Sequence, residues 1–426
     1  MSGKRGNGEG SIYPYRNGFA AYAWVTTPTG KRDRKYVYGK TRTEVHDKWL
    51  KLHTAAKAGP VATSTPTMEQ YLAFWLKEEV EVNLKPLTAA TYETAVRLYI
   101  GPFLGAKRVD KLNVRDVREW LNKLGTTCQC CAQGKDERRP EERRKCCRQY
   151  LSKRSVADAR TVLRSALTYA ISEEMISRNV AQLVKLAKPR PRKVIPWSVE
   201  EASRFLESAR ADRDPLYGAY VMILVLGLRK GEVLGLRWTD VMLDRGEILI
   251  QQQLQRVRRR LLHSEVKTDA SESVLPLPDV CRAALLLREK SRDAHKLAAR
   301  ELWTESDLVF TTKYGTPVEP RNFNRRFEFR CQQAGVRLIR VHDTRKTCGT
   351  LLAALDVHPR VAMQILRHSQ FAVTMEIYTQ VPSKQTRNAL KKLGATLDGS
   401  SAEPPSAAAE DSSRGLVVDE GGERAE

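Results

Sequence analysis

The stretch Gly227-Leu228-Arg229-Lys230-Gly231-Glu232-Val233-Leu234-Gly235-Leu236-Arg237-Trp238 directly follows residues 217–226, which are apolar almost throughout. A segment apolar on all sides is read as a helix buried in a core. Gly227 can adopt the left-handed backbone that ends such a helix, so Arg229 falls where a rigid core element meets a new helix. Just upstream, Ser198 and Glu201 form a capping box for a helix that turns Ala202, Phe205, Leu206 and Ala209 inward. Downstream, two expected strands, 251–261 and 273–277, stand on either side of Val266-Lys267-Thr268.

Farther on lies His342-Asp343-Thr344-Arg345. Residues three apart share a helix face, so His342 and Arg345 can converge on one ligand. A guanidinium fork fits two phosphate oxygens, and an imidazole exchanges a proton near neutral pH. The pair suits a phosphodiester. The competing reading makes His342 a helix cap and Arg345 a solvated charge. Beyond Leu366-Arg367-His368-Ser369, the spacing of Thr374 and Tyr378 fits a short helix ending on the tyrosine.

Charge points the same way. The 426 residues carry a formal net charge of +23, which rises to +29 once the segment from Asp398, with eight acids and two bases, is set aside. An anionic partner is expected, nucleic acid ahead of a membrane surface. Residues 1–10 are polar and glycine-rich with no apolar segment behind them, so no signal peptide is read there. The apolar run 219–228 is too short to span a bilayer. The expected location is the cytoplasm, with no membrane partner.

The N-terminal part reads as three short strands and a helix. Asn17-Gly18 joins 11–15 to 19–25, a turn at Pro28-Thr29-Gly30 leads to 35–38, and Thr41 with Glu44 caps a helix lined by Val45, Trp49 and Leu52. Arg16, Lys31, Arg32, Arg34 and Lys35 crowd the strand ends and turns, where they could meet DNA phosphates or form a solvated rim. Residues 67–187 read as helical. Thr67 with Gln70, Thr88, Asn113 and Ser155 open helices whose apolar stripes are core. Between the last two helices stand Cys128, Cys130, Cys131, Cys146 and Cys147. Four thiolates there could bind structural zinc, although neither group has the two-residue spacer of a zinc knuckle; free or redox-active thiols are the other reading. Prolines among Arg190, Arg192 and Lys193 mark an extended basic linker that could lie along DNA.

Taken in order, the run 227–238, His342-Asp343-Thr344-Arg345, Leu366-Arg367-His368-Ser369 and Tyr378 closely resemble the tyrosine recombinases, in particular integrases of phage and plasmid type. The resemblance covers most of 67–395. It implies a mainly α fold with small β elements (α+β): a three-stranded arm-type DNA-binding domain over 1–58, a linker over 59–66, and a helical core-binding domain over 67–187 with a Cys-rich insertion at 128–148. A basic Pro-rich linker over 188–196, a catalytic domain over 197–397 and a disordered acidic tail over 398–426 complete the expected order.

The implied reaction cleaves and rejoins duplex DNA through a 3′-phosphotyrosyl intermediate to integrate a mobile element. By that resemblance Arg229 and Arg345 hold the non-bridging oxygens and Lys267 protonates the leaving 5′ oxygen. His342 and His368 assist proton transfer, and Tyr378 is the nucleophile. The chemistry agrees from below: a tyrosine hydroxyl, with a pKa of about 10, is a poor nucleophile at neutral pH, so cations and a proton acceptor must surround the diester. No catalytic cofactor is needed. The implied partners are double-stranded attachment sites, a homotetramer on DNA to which a helix near 383–393 contributes, and a directionality factor or DNA-bending protein.

Three features depart from the family pattern. Arg367 stands where glycine is frequent, Lys346 replaces a frequent His or Arg, and Glu272 sits where a base is common. Glu232 is read as structural or orienting, outside the catalytic six. The competing functions are a resolvase-type recombinase, a type IB topoisomerase and a catalytically inactive DNA-binding regulator.

Overall fold

A computed structural model describes residues 12–27, 30–59, 65–187, 194–265 and 273–378. The chain divides into two compact units, Met1–Lys193 with Gln255–Leu262, and Val194–Leu254 with His263–Glu426.

In the first unit, β1 (Tyr13–Tyr15), β2 (Gly18–Thr26) and β3 (Arg32–Gly39) form an antiparallel sheet in sequential order. Helix α1 (Arg42–Ala58) begins at Thr41, whose hydroxyl accepts from the Glu44 N–H. The expected capping box is only half present, because the Glu44 carboxylate accepts from the N–H of Lys40, one residue before the cap. Ala21, Ala23 and Val25 pack against Val45, Trp49 and Leu52 in a small core. Strand pleating sends alternate side chains to opposite faces, so Tyr22 and Trp24, paired with Tyr36 and Arg34, occupy the sheet's other side.

The helical part of this unit comprises α2 (Met68–Trp75), α3 (Glu81–Asn83), α4 (Pro86–Ala95), α5 (Gly101–Leu104), α6 (Val114–Thr126), α7 (Gln129–Ala132), α8 (Lys153–Ser172) and α9 (Val180–Leu183). Thr67 makes the full reciprocal capping box that its spacing with Gln70 predicts, and Asn113, expected to open a helix, makes one with Asp116. Two starts differ from expectation. Helix α4 opens at Pro86 rather than at Thr88, because proline's fixed φ suits the first helical position. Helix α8 is capped by Ser152, whose oxygen accepts from Ser155, so Ser155 lies inside the first turn. Met68, Tyr71, Trp75, Trp120, Leu163 and Leu167 meet in one core. The aromatic polar atoms are satisfied at its rim: Tyr71 donates to the Ala166 carbonyl and Trp120 to that of Tyr99.

The second unit is built on α10 (Val199–Ala211) and α11 (Tyr217–Val225), buried from Gly218 to Leu224, followed by α12 (Lys230–Gly235). Strands β4 (Val241–Met242), β5 (Glu247–Ile250), β6 (Gln252–Val257), β7 (Arg260–Glu265) and β8 (Ser273–Pro276) come next in the chain, with Gln255–Leu262 of the β6–β7 hairpin counted in the first unit. Here the sequence expectation needs correction: 251–261 is not one strand but a hairpin turning at Arg258 and Arg259, and β8 pairs with β5 instead. Helices α13 (Asp279–Ala299), α14 (Pro320–Gln333), α15 (Asp343–Ala354), α16 (Pro359–Leu366) and α17 (Phe371–Tyr378) complete the unit. Trp197, Phe205, Tyr220, Phe323 and Phe327 form its aromatic centre. No helix among the described residues is long and apolar enough to cross a membrane.

Candidate active site

The buried helix α11 ends as its sequence requires. Gly227 adopts φ +59, and a Cβ there would lie 2.6 Å from Leu366 and 3.3 Å from the Cys348 sulfur, so only glycine fits. The freed Gly227 carbonyl accepts from Arg345 Nη1 at 2.6 Å. Gly227 therefore ends one helix and anchors a catalytic-candidate arginine 118 residues away.

Arg229 caps α12, and its guanidinium is bonded to Glu232 at 2.7 Å. The same carboxylate receives Arg367 at 2.7 Å, and the Arg367 and Glu232 side chains are 1% and 2% exposed. Burial alone would push Glu232 up, but Arg367 and Arg229 hold its carboxyl below the usual range. Arg367 occupies the left-handed region at φ 50, capping α16. Its lack of glycine's freedom thus does not prevent the glycine-like conformation. A left-handed non-glycine residue costs roughly 1 kcal/mol, and the buried ion pair with Glu232 holds it there.

Arg345, in the first turn of α15, is also buried. Its Nε donates to His368 Nε2 at 3.3 Å, while its Nη2 finds no partner among the described residues. Burial, with Arg229 and Arg367 nearby, pushes Arg345 down to about 9. His368 accepts on Nε2, so its other nitrogen carries the proton and donates to Thr374 at 2.9 Å. Burial and the surrounding arginines push His368 down to about 4, and burial followed by Arg345 lowers His342. His342 stands at the N-cap position of α15 but makes no side-chain cap bond.

These four residues line one cavity of about 290 Å³, together with Pro196, Lys346, Thr350 and Ser369. It holds cations, neutral imidazoles and an orphaned guanidinium N–H, a combination that calls for an anion with several oxygens.

The "Phage integrase family" model matches residues 198–385, and the "Phage integrase, N-terminal SAM-like domain" model matches 67–125. The chain belongs to the tyrosine recombinases of the phage integrase family. A tyrosine recombinase XerC-like protein of Caldanaerobacter subterraneus subsp. tengcongensis is 26% identical, over 85% of this chain and 92% of that protein. An integrase of Saccharopolyspora erythraea is 25% identical over 87% of this chain and 92% of its own length. Among solved structures, the Tn1549 transposon integrase in complex with a circular intermediate DNA shares the fold, with a TM-score of 0.59 and 19% identity, covering 77% of this chain and 99% of that one.

Not every expected site residue of the recombinase is gathered in the cavity. Tyr378 ends α17, but its hydroxyl donates to the Val357 carbonyl at 2.6 Å, and the cavity is lined by Ile377 and Glu376 instead. Its ring packs beside Cys348, Leu366 and Ile377, and burial raises its hydroxyl pKa. Lys267 lies outside the described residues, as do Glu272, Arg190, Arg192, Lys193, the 383–393 segment and the tail from Asp398.

In the small sheet, Arg16 lies over the Tyr15 ring, Arg32 over Trp24, and Arg34 over both Tyr22 and Trp24 at 5.0 and 4.6 Å. Lys35 does not join them. It pairs with Ala23, whose side chain faces α1, so the pleat sends it to the opposite side from Arg32 and Arg34. Glu232 and Arg367 are the residues that sequence reasoning undervalued. The three-residue spacing from Arg229 to Glu232 was a usable signal, whereas the contact from Glu232 to Arg367 spans 135 residues and had none.

Proposed function

We propose that the cavity binds the scissile phosphate of a DNA attachment site and that Tyr378 attacks it. Arg229 and Arg345 take the non-bridging oxygens, the orphaned Arg345 Nη2 supplying a donor already desolvated and aimed by its bonds to Gly227 and His368. His342 and His368, neutral at pH 7, accept or relay the tyrosine proton. The Tyr378 oxygen bonds to phosphorus, the bond to the 5′ oxygen breaks, and Lys267 delivers a proton to that oxygen. Attack by a second strand's 5′ hydroxyl reverses the sequence and releases Tyr378. One phosphodiester is exchanged for another, so no cofactor or nucleotide hydrolysis is required.

The observation that carries this reading is the convergence of Arg229, His342, Arg345 and His368 on one cavity. Domain roles follow: residues 1–58 bind arm-type DNA, residues 67–187 the core site, and residues 197–397 perform catalysis, as a homotetramer assembled on double-stranded DNA. The aromatic face bearing Arg32 and Arg34 supports the first of these, because a guanidinium stacked on a ring keeps outward donors for phosphate. A directionality factor or bending protein would act on this assembly.

Tyr378 must leave the Val357 carbonyl before it can attack. A suicide substrate, nicked so that the 5′ fragment departs, tests the assignment. The wild type should accumulate a covalent protein–DNA adduct and Tyr378→Phe none; an undiminished adduct in that variant would refute the role of Tyr378. Joining of two separate attachment sites then separates recombination from simple relaxation of supercoils.

A further inference from the structure

The insertion between α6 and α8 presents a folding problem. From Gln133 to Arg148, apart from Pro140 and two cysteines, it has no apolar side chain, and Arg138, Arg139, Arg143, Arg144 and Lys145 are exposed. Such a segment cannot bury enough surface to offset its ordering entropy. Yet it is held together. The Gln129 N–H donates to the Gln149 carbonyl at 2.9 Å, closing the base of the loop. Asp136 accepts from the Lys145 N–H at 2.8 Å and from Arg139 at 3.2 Å, and Arg138 donates to the carbonyls of Gln133 and Gly134 at 2.6 and 3.1 Å. All of these bonds are polar and mostly exposed, so each contributes little net stability in water.

The remaining resource is sulfur. The Sγ atoms of Cys128, Cys130, Cys131 and Cys146 all lie within 4.8 Å of one another. Cys128 is 3.4 Å from Cys130 and 3.3 Å from Cys146, Cys130 is 4.0 Å from Cys131, and Cys131 is 3.7 Å from Cys146. Four sulfurs around zinc at about 2.3 Å would stand roughly 3.8 Å apart on a tetrahedron. The observed separations bracket that value. No disulfide joins any pair; all of these cysteines are free. Cys128 and Cys130 are buried, which gives the cluster a dry inner side, and the backbone N–H of Cys147 donates to Cys130 Sγ at 3.2 Å. An N–H pointed at sulfur favours the thiolate form that a metal ligand requires. A zinc tetrathiolate carries two net negative charges, and the loop's arginines and lysines compensate for them.

We propose that Cys128, Cys130, Cys131 and Cys146, whose sulfurs form the compact four-atom group, hold a structural zinc that closes this insertion; the Cys147 thiol touches Cys128 at 3.3 Å at the edge of that group, and its backbone N–H supports Cys130. The spacing is unlike a pair of two-residue knuckles because Cys130 and Cys131 are adjacent and leave from the same short helix, α7. With four protein sulfurs and no open position, the site is structural. It lies in the unit that does not contain the phosphate cavity, so its test is independent of the strand-transfer assignment.

Full-length protein purified in reductant, without a chelator and without a metal-affinity step, should contain about one zinc per chain that survives gel filtration. Cys130→Ser should lose the metal and Cys147→Ser should keep it. Should Cys130→Ser fail to fold, exchange of cobalt(II) into the wild type provides the second readout: an intense near-ultraviolet sulfur-to-cobalt band and the strong visible bands of a tetrahedral ion. Metal-free wild type without those cobalt bands would overturn the proposal, as would a thiol count showing these cysteines paired in disulfides. Loss of zinc from Cys147→Ser would overturn the assignment of the four ligands.

Discussion

Arg345 and Arg34 illustrate two opposite ways of preparing a guanidinium for a polyanion. Arg345 is buried, held by a backbone carbonyl and a histidine, pushed down to about 9 and left with one donor unsatisfied. Arg34 lies in the open on the rings of Tyr22 and Trp24. The first arrangement is expensive to fold and selective, because only a multi-oxygen anion placed in the cavity relieves the desolvated charge. The second costs little, binds any nearby phosphate and is screened by salt. Under the proposed function, the exposed cations would serve to find DNA and the buried ones to act on a single bond.

The sharpest way to break this contrast is to remove the charge that makes the buried cations tolerable. Glu232→Gln leaves Arg367, and the Arg229 guanidinium beside it, without their shared carboxylate. Breaking such a buried pair costs about 3–5 kcal/mol, so thermal or urea denaturation should show a large loss of stability. Suicide-substrate cleavage should fall as well, because Arg229 loses the partner that orients it. Retention of wild-type stability would mean that water reaches Arg367.

A smaller effect concerns pH. His368 is depressed to about 4 in the folded chain and reverts to about 6.5 when unfolded. Between these values the unfolded state binds more protons, so stability contributed by the neutral, Arg345-bonded imidazole is present above pH 6.5 and is lost as pH falls toward 4. Melting temperatures measured from pH 7 to pH 4 should decline less steeply for His368→Gln than for the wild type. Parallel declines would show that His368 is already solvated.

The smallest effect belongs to the exposed region. Arg32→Ala combined with Arg34→Ala should leave stability and cleavage of a core-site suicide substrate nearly unchanged. It should reduce the slope of log affinity against log salt, on DNA containing an arm-type site, by about 1.8. An unaltered slope would return these residues to the role of a solvated rim.

The legible parts of the molecule were those written in local spacing. The apolar run 217–226 gave α11, Gly227 gave its end, and the boxes at Thr67 and Ser198 with the capping residue Asn113 gave three helix starts. The hairpin between β6 and β7 escaped because its turn is built from Arg258 and Arg259, with Arg258 at φ 54, and no glycine or asparagine marks it. The tolerance of Arg367 for a left-handed backbone escaped too, since its compensation comes from Glu232, which is distant in sequence. Four of the residues expected in the site were recognisable from ordered motifs and line one cavity. The position of Tyr378 was not readable: nothing local distinguishes a tyrosine directed at a cavity from one bonded to Val357.

That last bond has a consequence for safety. A recombinase with permanently poised arginines and a permanently poised tyrosine would nick whatever duplex it touched while scanning. If Tyr378 is the nucleophile as proposed, its bond to the Val357 carbonyl means that the chain offers cations to the phosphates it passes while the nucleophile stays occupied.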